Sequence, residues 1–485
     1  MPSWIDSAIP PAWDAGFSPS HDAANRLGQT LRKKEASARV YAVEFRVRSG
    51  HVNHPEVRKW ARFVATLFPQ SLATDAFLFW LNHGDCISNR HAQFCLESIS
   101  AMDSVCEPHH NGFQTSGSAS NIDMEAITLP TCKSSQEEKD SIKWTLARST
   151  TSPVPGMKPV GVEDVFLYPT GMLAIGTIAR ALQEHASGEA RAVIYGWVYS
   201  GTGPLVKDCG YDEFTMYGHG TEDELDQLEA ILAAGTRITV VFCEITSNPQ
   251  LYTPNLHRVK QLADEYGFVV VIDDTIGTSI NVDILPYADV VTTSLTKIFS
   301  GACNVMGGSL IINPNSSHYT RIHTTLQQTY EDVFFPLDAI VLSHNSADYA
   351  SRVRQCSTTA KSLAEFLVTH PLIESVNYPT LVPSRSQYDR YRRPGERYGY
   401  LLSIVFKDPA HAVTFFDALN VWKGPSIGTN STIALPYSVL AHWEEGEWAA
   451  QYGVPRHIVR VSVGLEEAEE LKGRFVDALQ RIEAD

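Results

Sequence analysis

Between about residues 165 and 312, short and almost wholly apolar runs alternate with stretches of helical period, and this alternation constrains the fold more than any other feature of the chain. The runs are Ala192-Val193-Ile194-Tyr195, Ile238-Thr239-Val240-Val241-Phe242, Phe268-Val269-Val270-Val271-Ile272, Val290-Val291-Thr292-Thr293 and Ser309-Leu310-Ile311-Ile312. Helical stretches lie between them at Met172 to His185, Glu222 to Ala234 and Pro254 to Tyr266. Strands without polar alternation are covered on both faces, so the pattern predicts βαβ units around a parallel sheet, an α/β fold. A length of 485 residues with 44% apolar side chains leaves room for a second domain. A helical stretch from Ala347 to His370, a strand at Tyr400 to Phe406, a helix from Asp408 and a strand at Ile458 to Val463 predict a smaller α+β C-terminal domain.

Three segments are predicted: residues 1–100 as an N-terminal arm and helical segment, 101–340 as the large domain, and 341–485 as the C-terminal domain. Residues 1 to about 60 show no sustained period and read as an irregular arm. Apolar spacing at Val57, Trp60, Phe63 and Val64, followed by Ala76-Phe77-Leu78-Phe79-Trp80-Leu81, reads as helical up to about residue 100. The polar stretch around 107–158 reads as a surface insertion.

Charge and cysteine usage exclude several function classes. Thirty-nine Lys and Arg against 55 Asp and Glu give −16, which disfavours nucleic acid or an anionic membrane as the main partner. No run approaches the ~20 apolar residues of a membrane span, and the N-terminus lacks a basic start followed by an apolar run, so a soluble, cytoplasmic protein is expected. Eight cysteines without a CxxC pair argue against a disulfide framework or structural zinc. Cys106, His109 and His110 lack a second ligand pair, so no metal site is expected. Gly201-Thr202-Gly203-Pro204 is too short for a dinucleotide fingerprint.

The chemistry-bearing residues cluster at the ends of the apolar runs, where an open parallel sheet places ligands. Asp273 and Asp274 follow one such run directly, and Ser294-Leu295-Thr296-Lys297 follows another. A desolvated lysine can attack an aldehyde to form a Schiff base, and an aspartate can hold a protonated pyridine nitrogen. These are two needs of pyridoxal 5'-phosphate. Its phosphate needs a cradle, and Tyr168-Pro169-Thr170-Gly171-Met172 opens a helix whose backbone amides would face an anion. Ser294 and Thr296 offer further hydroxyl donors.

Taken together, these residues resemble the pyridoxal-phosphate enzymes of cysteine and methionine metabolism, in particular the fungal cystathionine γ-synthase-like branch, from about His54 to the end. Asp273-Asp274-Thr275 is similar to the family's D-N-T segment and Ser294-Leu295-Thr296-Lys297 to its S-x-T-K. The resemblance therefore implies Lys297 as the Schiff-base lysine and Asp273 as the pyridinium partner. Thr170-Gly171-Met172 resembles the S-G-M phosphate turn. Tyr199-Ser200-Gly201-Thr202 resembles Y-G-G-T, which implies that Tyr199 stacks on the cofactor ring and exchanges protons. Glu244 to Pro249 resembles E-x-P-x-N-P, with Thr246 in place of the first proline, and implies Asn248 beside the phenolic oxygen. Ile458 to Glu466 resembles I-R-L-S-V-G-L-E, implying Arg460 as the fork for the substrate α-carboxylate, with Ser426 in a loop over it. An unpaired arginine inside an apolar strand is costly, which supports a ligand there independently. The family's arm tyrosine is missing from Val43 to Gly50, where Arg46, or failing it Arg48, is the match for a phosphate contact from a neighbouring subunit.

The same resemblance implies the aspartate-aminotransferase-like fold (fold type I), with a mainly parallel seven-stranded sheet, and a homodimer or homotetramer. The implied reaction is γ-replacement on an O-acyl-L-homoserine, first O-acetyl-L-homoserine, through a vinylglycine-type intermediate. The nucleophile is a thiol such as cysteine or a carbon acid such as a β-keto acid. A C–S lyase or an O-acetylhomoserine sulfhydrylase fits the same scaffold. A non-catalytic scaffold is the alternative of another class, against which stands the retention of Lys297, Asp273 and Arg460.

Overall fold

The computed structural model describes residues 13–38, 40–47, 59–98, 102–106, 132–186 and 188–484. Two compact units divide the chain, residues 1–140 with 331–341 and residues 141–330 with 342–485. Among the described residues, no helix is long and apolar enough to cross a membrane, and no group of three His, Cys, Asp or Glu side chains could hold a metal ion.

In the first unit, β1 (Trp13–Ser18), β2 (Tyr41–Val47), β3 (Arg62–Pro69) and β4 (Met102–Cys106) form an antiparallel sheet in the order β1-β3-β2-β4. This overturns two expectations. The stretch read as an irregular arm holds two strands and the helix His21–Lys34, capped by Ser20, whose hydroxyl accepts from the Ala23 amide. That helix buries Ala23, Ala24, Leu27 and Leu31, and because two of the four are alanines its apolar period is faint. The spacing read as helical around Phe63 belongs to β3 instead. Between β1 and β2 this strand has six consecutive buried residues, and burial on both faces erases the alternation that marks a strand. Phe63 stacks on Phe45 at 4.8 Å and meets Phe17 edge-on at 5.4 Å. The apolar run at 76–81 does lie in a helix, Ala73–His83. Arg46 falls in β2, opposite Arg62 and Asp103. Its side chain and that of Cys106, like the whole of Arg48, His109 and His110, lie outside the described residues.

The second unit holds the seven-stranded sheet. Its strands are β5 (Val165–Tyr168), β6 (Arg191–Tyr195), β7 (Glu213–Tyr217), β8 (Val240–Glu244), β9 (Val269–Asp273), β10 (Val290–Ser294) and β11 (Gly308–Ile312), in the order β5-β11-β10-β9-β8-β6-β7. All pairings are parallel except those of β11, which runs against β10 and β5. Two strands escaped the sequence reading. β5 has only four residues, and β7, at the sheet edge, is half-exposed along most of its length. A second sheet follows from β12 (Ile373–Asn377), β13 (Leu401–Phe406), β14 (Trp422–Lys423), β15 (Ile433–Pro436) and β16 (Val459–Ser462), in the order β12-β13-β16-β15-β14. It packs on helices Tyr349–Leu367, Pro409–Ala418 and Ala468–Ala484 around Leu363, Leu402, Ile404, Phe415 and Phe475.

Candidate active site

Five parallel strand ends in the second unit deliver the chemistry. Asp273 closes β9, Glu244 closes β8, Tyr199 follows β6, the helix Gly171–Glu184 follows β5, and the turn after β10 carries Lys297. This is the carboxyl edge where an open α/β sheet binds its ligands.

The lysine turn is held from three sides. Thr296 Oγ1 donates to the Gly307 carbonyl at 3.2 Å and accepts the Gly307 amide at 3.1 Å, so its hydroxyl fixes the turn. Arg352, buried in the helix Tyr349–Leu367, donates to the carbonyls of Ile298 and Phe299 at 2.8 and 2.9 Å. From the C-terminal sheet, Gly428 sits at φ +66°, and a Cβ there would lie 2.3 Å from the Ile298 nitrogen, so only glycine permits this approach. Lys297 itself opens on the crevice, with Nζ 3.5 Å from Ser426 Oγ. Desolvation, with the Arg460 charge adding to it, draws its pKa down to about 8.

Arg460 projects from β16 and is 4% exposed. Nη1 donates to Asn248 Oδ1 at 3.1 Å, and Nη2 donates to the carbonyls of Pro425 at 2.8 Å and Ser426 at 3.2 Å. Its guanidinium lies 5.2 Å over the Tyr437 ring, and the Tyr437 hydroxyl donates to the Asn248 carbonyl at 3.0 Å. No carboxylate pairs with it among the described residues. Burial lowers its pKa to about 10, which leaves it cationic at neutral pH. A buried cation with neutral partners only has the charge and the free valence to take an anion.

On the sheet side, Asp273 Oδ1 accepts the Thr275 amide at 2.8 Å, and burial raises its pKa to about 6. It has no cationic partner among the described residues. Asp274 is different: Ser279 and Thr293 both donate their hydroxyls to it, which makes it a structural bracket between β9 and β10. Glu244 accepts the Tyr199 amide at 2.6 Å, and burial, with Asp273 adding to it, pushes its pKa well above the usual carboxylate range. Burial also raises the Tyr199 phenol, against the pull of Arg460.

Opposite them, Thr170 caps the helix Gly171–Glu184 by accepting the Leu173 amide at 3.0 Å, and its carbonyl takes Ala174 at 3.3 Å. The amides of Gly171 and Met172 therefore have no helical acceptor. A Cβ on Gly171 would lie 2.8 Å from Ser294 Cβ, so this turn presses directly on the lysine strand. An amine, a carboxyl group and two amides without a helical acceptor thus stand at the same edge of the sheet, and these residue types fit pyridoxal phosphate. Among the expected site residues, Lys297, Ser426, Arg460 and Asn248 form one chain of contacts, and Gly171 abuts Ser294. Sequence reading missed Arg352 and Tyr437. The first had a signal, a lone arginine amid the apolar period of its helix; the second had none.

Residues 159–480 match the family described as Cys/Met metabolism PLP-dependent enzyme, and residues 11–88 match the fungal trans-sulfuration enzyme N-terminal domain. A cystathionine gamma-synthase-like protein of Aspergillus thermomutatus is 52% identical over 469 residues, covering 96% of this chain and 82% of that protein. The cystathionine gamma-synthase of Neurospora crassa is 43% identical over 329 residues, covering 67% of this chain, and the match spans 53% of that protein. In fold, the cystathionine gamma synthase of Xanthomonas oryzae pv. oryzae in complex with cystathionine superposes with a TM-score of 0.61 at 22% identity, covering 72% of this chain and 86% of that one.

Proposed function

Because the chain belongs to the pyridoxal-phosphate-dependent enzymes of cysteine and methionine metabolism, in their cystathionine γ-synthase-like branch, we propose that it catalyses γ-replacement on an O-acyl-L-homoserine, with O-acetyl-L-homoserine as the first substrate to test. The carrying observation is the double use of Ser426. Its hydroxyl meets the Lys297 amine while its carbonyl holds the Arg460 fork, so a carboxylate bound by Arg460 brings its own Cα within reach of the amine.

Pyridoxal phosphate supplies an aldehyde that captures the amino group and a ring that takes up the electrons released at Cα. Lys297 would hold it, Asp273 would pair with its ring nitrogen, and Asn248 would lie beside its phenolic oxygen. Gly171, Met172 and Ser294 would take its phosphate, with Thr296 fixing the loop, and Tyr199 would stack on its ring. Arg46 of a neighbouring subunit would complete the phosphate site, in a homodimer or homotetramer. With its pKa near 8, the Lys297 amine is partly neutral at physiological pH and accepts the Cα proton. In the net exchange the Cγ–O bond would break and a Cγ–S or Cγ–C bond would form, the nucleophile's proton leaving with acetate as acetic acid while the protons drawn from Cα and Cβ return to those carbons.

Purified protein supplied with the cofactor should be yellow, and Lys297→Ala should lose that absorbance. Incubation of O-acetyl-L-homoserine with cysteine, sulfide or acetoacetate, followed by mass analysis, should give a γ-substituted product with one of them. Acetate and 2-oxobutyrate whatever nucleophile is added would instead make the enzyme a lyase.

A further inference from the structure

The proposed reaction gives Tyr437 no task, although three contacts tie it to groups that have one. Pairing of β15 with β16 sets Leu435 opposite Arg460, and the register continues past the strand, with the Tyr437 amide donating to the Ile458 carbonyl at 3.2 Å. Residues 435, 437, 458 and 460 therefore share one face, and Tyr437 is the diagonal neighbour of Arg460, within reach of an aromatic side chain. The ring is 2% exposed, lies 5.2 Å from the guanidinium, and is itself held in an apolar cluster with Trp197, Leu435 and Ile458. Its hydroxyl donates to the Asn248 carbonyl at 3.0 Å, while Asn248 Oδ1 accepts from Arg460 at 3.1 Å. Arg460, Asn248 and Tyr437 thus close a triangle in which each touches the other two. Burial pushes the Tyr437 phenol up, so its hydroxyl stays a donor.

We propose that Tyr437 is a positioning residue for substrate capture: its ring steadies the Arg460 guanidinium and its hydroxyl fixes Asn248 beside it, so that the α-carboxylate meets a fork of set orientation. The proposal rests on the γ-replacement reading and adds to it a residue that governs affinity for the amino-acid substrate. The reason for using a ring here lies in the count of donors. Hydrogen bonds to Asn248, Pro425 and Ser426 occupy three of the five guanidinium N–H groups and leave two for a carboxylate. A further hydrogen bond would consume one of those two. A cation–π contact holds the guanidinium without taking any. Because the carboxylate keeps its charge throughout the reaction, a contact that acts on it through Arg460 strengthens ground state and transition state alike. Its loss is read in KM and not in kcat.

The test uses the holoenzyme, with O-acetyl-L-homoserine for turnover and L-norvaline for binding. L-Norvaline has the same α-amino and α-carboxylate groups and no leaving group, and its binding is followed in the visible absorbance. Tyr437→Met fills the space without a π-face, and should raise KM and the norvaline Kd about tenfold or more with kcat within about threefold. Tyr437→Phe keeps the ring and should stay within about threefold of the wild type in all three quantities. In an Arg460→Met background, Tyr437→Met should change kcat/KM by less than about threefold, since no guanidinium is left to steady. A packing role would give the full loss in both backgrounds. Melting of the apoproteins checks that the variants fold, and Tyr437→Leu serves if Tyr437→Met does not. An unchanged norvaline Kd in Tyr437→Met, an equal loss in Tyr437→Phe, a loss confined to kcat, or a loss undiminished in the Arg460→Met background overturns the inference alone. A wild type without visible absorbance or acetate release overturns the γ-replacement reading and this inference with it.

Discussion

At the scale of single residues, the site works by placing ionisable groups where their usual charge is costly. Lys297 titrates near 8, so capture of pyridoxal phosphate by the apoprotein should rise about tenfold per pH unit and level off near that value. The growth of visible absorbance measures it, and an inflection near 10.5 would show that the amine is solvated. Asp273 is raised from 3.8 to about 6, so its ionised form is the disfavoured one in the fold. That term lowers the stability of the apoprotein as pH rises from about 4 through 6, by up to about 3 kcal/mol. Asp273→Asn should therefore leave the apoprotein at pH 7.5 as stable as the wild type or more so in denaturant melts, while turnover falls at least about a hundredfold. That Lys297 and Asp273 share one edge of the sheet was legible from spacing, since both follow apolar strands that run parallel, while their proposed roles came from the family resemblance. For Arg352 only its place on the apolar face of its helix was legible; its partners, being backbone carbonyls, were announced by no side-chain pattern. Arg352→Met should cost about 2–4 kcal/mol by orphaning them.

Elements were readable where apolar runs stood between clear turn signals, and misread where the signal was carried by small residues or where a doubly buried strand mimicked a helical spacing. β3 is the clear case: Phe63 and Val64 satisfy a helical spacing, yet six consecutive residues of the strand are buried, with Phe63 and Phe68 in different core clusters. The two-residue β14 and four-residue β5 are too short to show any period. Contacts between elements were invisible for a different reason, since they depend on what a glycine lets approach. The helix Gly171–Glu184 meets β10 with no space for a methyl group. Gly171→Ala should therefore destabilise the apoprotein by about 1–3 kcal/mol and also weaken pyridoxal phosphate binding about tenfold or more, as read by melting and equilibrium dialysis. Destabilisation with unchanged binding would mean that the turn serves folding alone.

For the whole molecule, the proposed neighbour contact by Arg46 makes a prediction that needs no picture of the assembly. If each site borrows that arginine from another subunit, co-expressed Lys297→Ala and Arg46→Ala chains should regain roughly a quarter of wild-type activity, because half of the random pairs carry one intact site. Two separately purified and unmixed variants should stay near zero, and so should the co-expressed pair if Arg46 acts within its own chain. The C-terminal segment is also less independent than its place in the chain suggests. With Gly428 lodged against the backbone of Ile298 and Arg352 clasping the next two carbonyls, residues far apart in the gene form a single mechanical part. Chimeras spliced between the turn after β10 and β13 would therefore inherit mismatched halves, whereas transplants that carry residues 294–301, 345–352 and 425–432 together should remain functional.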